Sequence, residues 1–198
     1  MIDQLQKLDR WLLVAANSTA TPALDRLMIF FSDRLVWFPA YFVMVLALAY
    51  YFRRRALLLV PLLGLSVGLA DSISSRFFKP FFARLRPCHD PFISESLNLA
   101  NGCGGQFGFI SSHAANAFAL VVFLTLVLPR RYWPLKVAVL LWALLVSYSR
   151  IYLAAHYPSD VLAGATLGSL LAWGCYTLYR QGARRWWPHE PSIDNPVA

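Results

Sequence analysis

A chain of 198 residues that is 58% hydrophobic, 15% aromatic and only 14% charged is too apolar for an ordinary soluble domain, so composition points to a membrane protein. The net charge of +8 would suit nucleic acid, but the basic residues form short clusters beside apolar runs, not a continuous stripe with interleaved aromatics, which argues against a nucleic-acid partner. They read instead as topology signals next to lipid headgroups. Asp3 and Asp9 near the start, with no small-residue cleavage pattern after them, argue against a removable signal peptide.

Residues 1–20 mix charge with Leu, Trp and Val. Leu5, Leu8, Leu12 and Leu13 recur at helical spacing and predict an amphipathic helix lying in the interface. After Thr21-Pro22, residues 23–33 form a second helical piece between Arg26 and Arg34 that is expected to dip partly into the bilayer. A spanning helix needs about 20 mainly apolar residues. Five stretches qualify or nearly so: 35–52, 56–78, 112–128, 134–153 and 159–179. The expected fold is therefore all-α, a polytopic membrane bundle of about five transmembrane helices plus the N-terminal interfacial helix. It forms one domain over 1–180, with interfacial helices in 1–33 and the bundle in 35–179. A polar tail follows over 181–198, and its Pro-rich part from Arg185 onward is expected to be disordered, with His189 solvated.

Arg53 to Arg55, then Arg130, Arg131 and Lys136, then Arg180, Arg184 and Arg185 fall on one side under five alternating spans. The positive-inside rule makes that side cytoplasmic. The loop over 79–111 and the turn around His156 then face outward, which predicts a multi-pass protein working at the outer face of the cytoplasmic membrane.

The external loop opens at Lys79, and six residues separate it from Arg86-Pro87. Two cations at the mouth of an apolar bundle repel unless an anion lies between them. Arg84, between them, fits best as a side chain snorkelling to headgroups. Cys88 and Cys103 share this loop and read either as a bridge or as two unrelated thiols. Cys88, His89 and Cys103 lack a recognised zinc spacing, so no metal is expected. Cys175 reads as a buried small hydrophobe.

Ser111 is placed to cap the third span, leaving the amides of Ser112 and His113 as free donors at the positive end of the helix dipole, a seat for phosphate. In Ser149 to Asp160, Arg150 offers a guanidinium fork suited to phosphate. Asp160, in the first turn of a helix opened by Pro158 and Ser159, can hold one ring nitrogen of His156 and leave the other free to attack. Asp71, with Ser75 and Lys79 near one helical face, reads as a counter-ion to Lys79 or Arg76, or as a polar contact with another helix; the structural reading is preferred.

Lys79 through Arg86-Pro87, Ser111 with His113, and Ser149-Arg150 with His156 and Asp160 resemble the three-part signature of the type-2 phosphatidic acid phosphatase superfamily, which includes membrane lipid phosphatases and soluble vanadium haloperoxidases. The resemblance spans about residues 70 to 170. One departure is Ser112, where the family pattern has glycine. The resemblance implies that His156 attacks phosphorus, Asp160 orients it and His113 serves as acid and then base. Lys79, Arg86, Ser111, Ser112 and Arg150 would hold the phosphoryl oxygens without a metal or other cofactor.

The short length and interfacial N-terminus are similar to small bacterial members acting on undecaprenyl diphosphate, the first expected substrate. Phosphatidylglycerophosphate, phosphatidate and lipid A phosphates are alternatives. Partners are then the lipid substrate and membrane lipids, with no obligate protein partner evident. A haloperoxidase should lack these apolar runs, and an anion transporter would not need two histidines with an orienting Asp.

Overall fold

The computed structural model describes residues 2–188, so His189 and the rest of the expected tail lie outside the described residues. The helices in chain order are α1 (Ile2–Asn17), α2 (Pro22–Ser32), α3 (Phe38–Phe52), α4 (Ala56–Ser72), α5 (Lys79–Phe82), α6 (Ser112–Val127), α7 (Trp133–Tyr152) and α8 (Pro158–Trp186). Among the described residues there is no strand, only an isolated antiparallel bridge between Leu85 and Phe107. α8 runs to Trp186, so the first residues of the expected disordered tail are helical.

The helix starts follow local chemistry. The Thr21 hydroxyl accepts from the Leu24 amide ahead of Pro22, Ser111 caps α6, and the Asp160 carboxylate accepts from the Tyr157 amide at 2.9 Å where Pro158 opens α8. Among the described residues three helical stretches are long and apolar enough to cross a membrane: Leu35–Phe82, Arg130–Tyr152 and Pro158–Trp186. The first holds the expected spans 35–52 and 56–78 and is broken at Arg53, whose φ of 47° lies in the left-handed region. Exposed Phe42, Leu46, Tyr50, Leu57, Leu162, Leu170 and Trp173 give the bundle an apolar exterior suited to lipid.

α6 is shorter, at 16 residues, and lies at the centre, packed against α4, α7 and α8. Ala114, Ala115, Ala119 and Phe123 on it are fully buried. Packing against three helices spares α6 much of the need to carry an apolar surface through the whole hydrocarbon layer. Its closest neighbour is α8, which presents Gly164, Gly168 and Ala172 at steps of four, a small-residue stripe that lets two backbones approach.

The N-terminal helix departs from the interfacial expectation. Leu5 and Leu8 are about half exposed, as an interfacial face should be, but Asp9, Leu13 and Asn17, also at steps of four, are buried against the bundle. Asn17 Nδ2 donates to the carbonyls of Asn98 at 2.9 Å and Tyr152 at 2.7 Å, while its Oδ1 accepts from the Asn98 amide at 2.8 Å. α1 is thereby stitched to the loop before α6 and to α7. Asn17→Ala strands these buried groups and is expected to destabilise the protein by about 2 kcal/mol, read as a lower thermal midpoint in detergent.

The basic clusters gather at one end. Arg131 Nη2 donates to the Tyr51 hydroxyl at 2.7 Å beside Arg53, and Gly182 packs on Leu58.

Candidate active site

At the other end of the bundle, segments distant in sequence close over the start of α6. α4 continues through a π-helical turn, Ile73–Phe78, into α5, so Lys79 sits in a final helical turn and not at the opening of a loop. Such turns are frequent at functional sites. Ala83, in the left-handed region at φ 44°, ends α5 and sends the chain back. Residues 84–86 then lie against 106–108: the Gly108 amide donates to the Arg84 carbonyl at 2.9 Å and the Arg86 amide to Gln106 at 3.0 Å. Cys88 and Cys103 are bridged, which decides between the two readings of that pair. Their ligand atoms and that of His89 lie within 4.8 Å of one another, but sulfurs joined to each other are not thiolates, so this cluster is no zinc site.

This pairing sets Arg86 beside His156. Arg86 Nε donates to the Phe107 carbonyl at 3.2 Å, and its side chain passes over two glycines. A Cβ at Gly108 would lie 3.1 Å from Arg86 Cγ, 3.4 Å from Asp160 Oδ2 and 3.6 Å from His156 Nδ1. Glycine here leaves room for those three groups to meet.

Arg150, in the last turn of α7, is buried. Its Nη1 donates to the Ser32 hydroxyl, and its carbonyl accepts from the amides of Ala155 at 3.0 Å and His156 at 3.1 Å. One residue thus contributes a cation and ties down the turn that carries the histidine. His156 is 1% exposed, with Nδ1 3.7 Å from Asp160 Oδ2. Burial, then the charges of Arg150, Arg86 and Lys79, hold its imidazole well below the ordinary histidine range, so it is neutral at physiological pH.

Ser111 is fully buried, and its amide donates to the Asp160 carbonyl at 3.0 Å, locking the start of α6 to the start of α8. The first amides of α6, at Ser112 and His113, have no acceptor within their own helix. Ser112 is 2% exposed. His113 Nε2 lies 3.2 Å from the Ser32 carbonyl, and the imidazoles of His113 and His156 are near enough for their charges to interact. His113 also lines a cavity of about 380 Å³ with Ser32, Arg34 and Asn116. Through Trp37, Tyr41, Met44, Leu120 and Trp142 the cavity meets a larger apolar groove of about 930 Å³ between α3, α6 and α7.

His113, His156, Asp160, Lys79, Arg86, Ser111, Ser112 and Arg150 therefore lie at one end of the bundle. Asp71 accepts from Asn116 Nδ2 at 3.1 Å, a polar contact with another helix. Arg84 is corrected. It does not snorkel to headgroups: Nη1 donates to Asp160 Oδ1 at 2.6 Å and Nη2 to Asp9 Oδ2 at 2.7 Å. Sequence reasoning also missed Ser32, which holds both Arg150 and His113, and Arg34, whose charge bears on Lys79, His113 and Arg150. The cap-like Ser32 at the end of α2 and a lone Arg34 carried no local signal.

Residues 59–184, more than half of the chain, match the PAP2 superfamily. The chain belongs to the PAP2 superfamily. A lipid A 4'-phosphatase of Bacteroides thetaiotaomicron is 37% identical over 179 residues, 89% of this chain and 79% of that protein. An undecaprenyl-diphosphatase of Sulfolobus acidocaldarius is 32% identical over 81% of this chain and 72% of its own. The fold matches the crystal structure of a transmembrane PAP2-type phosphatidylglycerolphosphate phosphatase from Bacillus subtilis with a TM-score of 0.67, at 21% identity over 92% of this chain and 89% of that one. This PAP2 protein is a membrane protein, a phosphoric ester hydrolase and a lipid phosphatase.

Proposed function

We propose that the chain removes phosphate from a membrane lipid through a phosphohistidine at His156, with a lipid A 4'-phosphate as its first substrate. The observation that carries this reading is a buried, neutral His156 facing the Asp160 carboxylate on one side and the charges of Arg150, Arg86 and Lys79 on the other. Nε2 attacks phosphorus in line as the bond to the lipid oxygen breaks, and His113 gives that oxygen a proton. His113 then takes a proton from water, which attacks the phosphohistidine and frees inorganic phosphate. Lys79, Arg86 and Arg150, the Ser111 hydroxyl and the amides of Ser112 and His113 hold the phosphoryl oxygens and offset their growing charge. Asp160 fixes the tautomer of His156 and stabilises the imidazolium character that develops.

The apolar groove below His113 suits a hydrocarbon chain entering from the bilayer. Basic clusters at the opposite end support an active site outside the cytoplasmic membrane. On sequence, undecaprenyl diphosphate ranks first; the 37% identity to a lipid A 4'-phosphatase moves lipid A ahead, and the 32% relative keeps undecaprenyl diphosphate as the second reading. The test is phosphate release by the purified chain in detergent, with a chelator present, from lipid A, undecaprenyl diphosphate, phosphatidylglycerophosphate and phosphatidate. Lipid A should show the highest kcat/KM, the chelator should not slow it, and His113→Ala should lower kcat by about 10²-fold or more. Dependence on a divalent ion, or a preference for undecaprenyl diphosphate, would overturn the corresponding part.

A further inference from the structure

Arg84 has the arrangement of a part of the machinery, although no signature motif includes it. Its guanidinium lies over the Tyr157 ring at 4.2 Å and forks between two buried carboxylates. Nη1 reaches Asp160 Oδ1 at 2.6 Å and the Ser159 hydroxyl at 2.7 Å, and Nη2 reaches Asp9 Oδ2 at 2.7 Å. Asp9 in turn accepts from the Ser159 amide at 3.0 Å and from its hydroxyl. The other oxygen of Asp160 accepts from the Tyr157 amide and faces His156. We infer that Arg84, seated by Asp9 of α1, is a positioning residue that sets the angle and the charge of Asp160 and so prepares His156 for attack. The inference rests on the phosphohistidine reading.

A carboxylate orients an imidazole only while it is ionised and correctly turned. Arg84 holds Asp160 by the oxygen that His156 does not use, which turns the second oxygen toward the ring. Its charge also offsets those of two carboxylates, Asp9 and Asp160, brought together around one small space. The groups facing Asp160 are Arg84 and Arg86 from the loop, Asp9 from α1, and His156 and Tyr157 from the turn before α8. The Tyr157 hydroxyl is engaged by Asp90, which is paired with Arg10. The amide that meets the Asp160 carbonyl is that of Ser111. Without Arg84 the two carboxylates repel, and Asp160 takes up a proton at higher pH than before. An Asp160 carrying that proton is a weaker acceptor for His156 and no longer stabilises the imidazolium.

The experiment follows turnover of lipid A and of phosphatidate micelles by the full chain across pH, beside thermal midpoints. Arg84→Gln should lower kcat about 100-fold, leave KM within about threefold, and move the acid limb of kcat/KM up by about one pH unit. Arg84→Lys should restore part of kcat, since it returns the charge without the fork. Arg84→Gln with Asp9→Asn should bring the acid limb back, because it removes the second acid. Asp9→Asn alone should move the limb down. A fall in thermal midpoint with an unmoved pH profile, or strictly additive losses in the double variant, would overturn the inference. Should Arg84→Gln fail to fold, Arg84→Lys and Asp9→Asn decide the matter by the same profile. His156→Gln is run beside them. Turnover by that variant removes the phosphohistidine reading and this inference with it, whereas a dead His156→Gln with an indifferent Arg84→Gln removes this inference alone.

Discussion

Replacing His156 by glutamine is expected to lower kcat by about a thousandfold or more and to abolish an acid-labile phosphoenzyme on rapid quench with labelled lipid phosphate. The reason lies in what surrounds the ring. An imidazole that is 1% exposed among Lys79, Arg86 and Arg150 is disfavoured as a cation, so its attacking lone pair is available well below neutral pH. Its protonation therefore should not set the acid limb of kcat/KM in the native protein. Once phosphorus is bound, the same cations neutralise the phosphoryl oxygens, and the charge that repelled a proton now favours the transition state. Asp160→Asn should cost about 100-fold or more in kcat with the phosphoenzyme still detectable, because the nucleophile survives with its orientation lost. A phosphoenzyme of normal yield in His156→Gln would assign the nucleophile elsewhere, with His113 the next candidate.

What could be read before the fold was known divides along a physical line. The apolar runs, the break at Thr21-Pro22, the cap at Ser111, Pro158, and the motif residues from Lys79 to Asp160 announce themselves locally, through periodicity or spacing. Arg84 does not, since its partners Asp9 and Asp160 are 75 and 76 residues away. In isolation a loop arginine next to apolar residues is indistinguishable from one that reaches for headgroups. Ser32 lies 118 residues from Arg150 and 81 from His113, and only tertiary structure makes it their common support. α1 shows the limit of an amphipathic reading. Leu5, Leu8 and Leu12 lie on an exposed face as expected, while Leu13, with the polar Asp9 and Asn17, belongs to the face that binds the protein. A buried polar stripe in a helix has no signature in hydrophobic periodicity, because its stabilisation comes from hydrogen bonds to distant backbone. The π-helical turn that delivers Lys79 is equally silent, as its residues Ile73 to Phe78 suit an α-helix as well.

Gly168→Ala is expected to lower the thermal midpoint by about 10 °C and to reduce turnover with it, although the change adds a single methyl group far from the phosphate seat. A Cβ at Gly168 would sit 2.0 Å from the Ala115 carbonyl oxygen, 2.8 Å from its carbon and 3.0 Å from the Ala119 amide nitrogen. These are backbone atoms, so no rotamer change relieves the overlap; α6 and α8 must part. The substitution would on local grounds favour the helix by about 0.5–1 kcal/mol, and the packing penalty has to exceed that. Gly164, one turn nearer the site, would meet the Ser111 carbonyl at 2.4 Å, so Gly164→Ala should weigh more on kcat, by shifting Ser111 and His113 against Asp160. Gly64, Gly68 and Gly174 lie in helices with nothing within 4 Å of an added Cβ. There the local gain stands alone, and alanine should be neutral or slightly stabilising in the same thermal assay. If Gly168→Ala and Gly174→Ala gave equal midpoints, α6 and α8 would not be in backbone contact, and the register that brings the two histidines together would have to be redrawn.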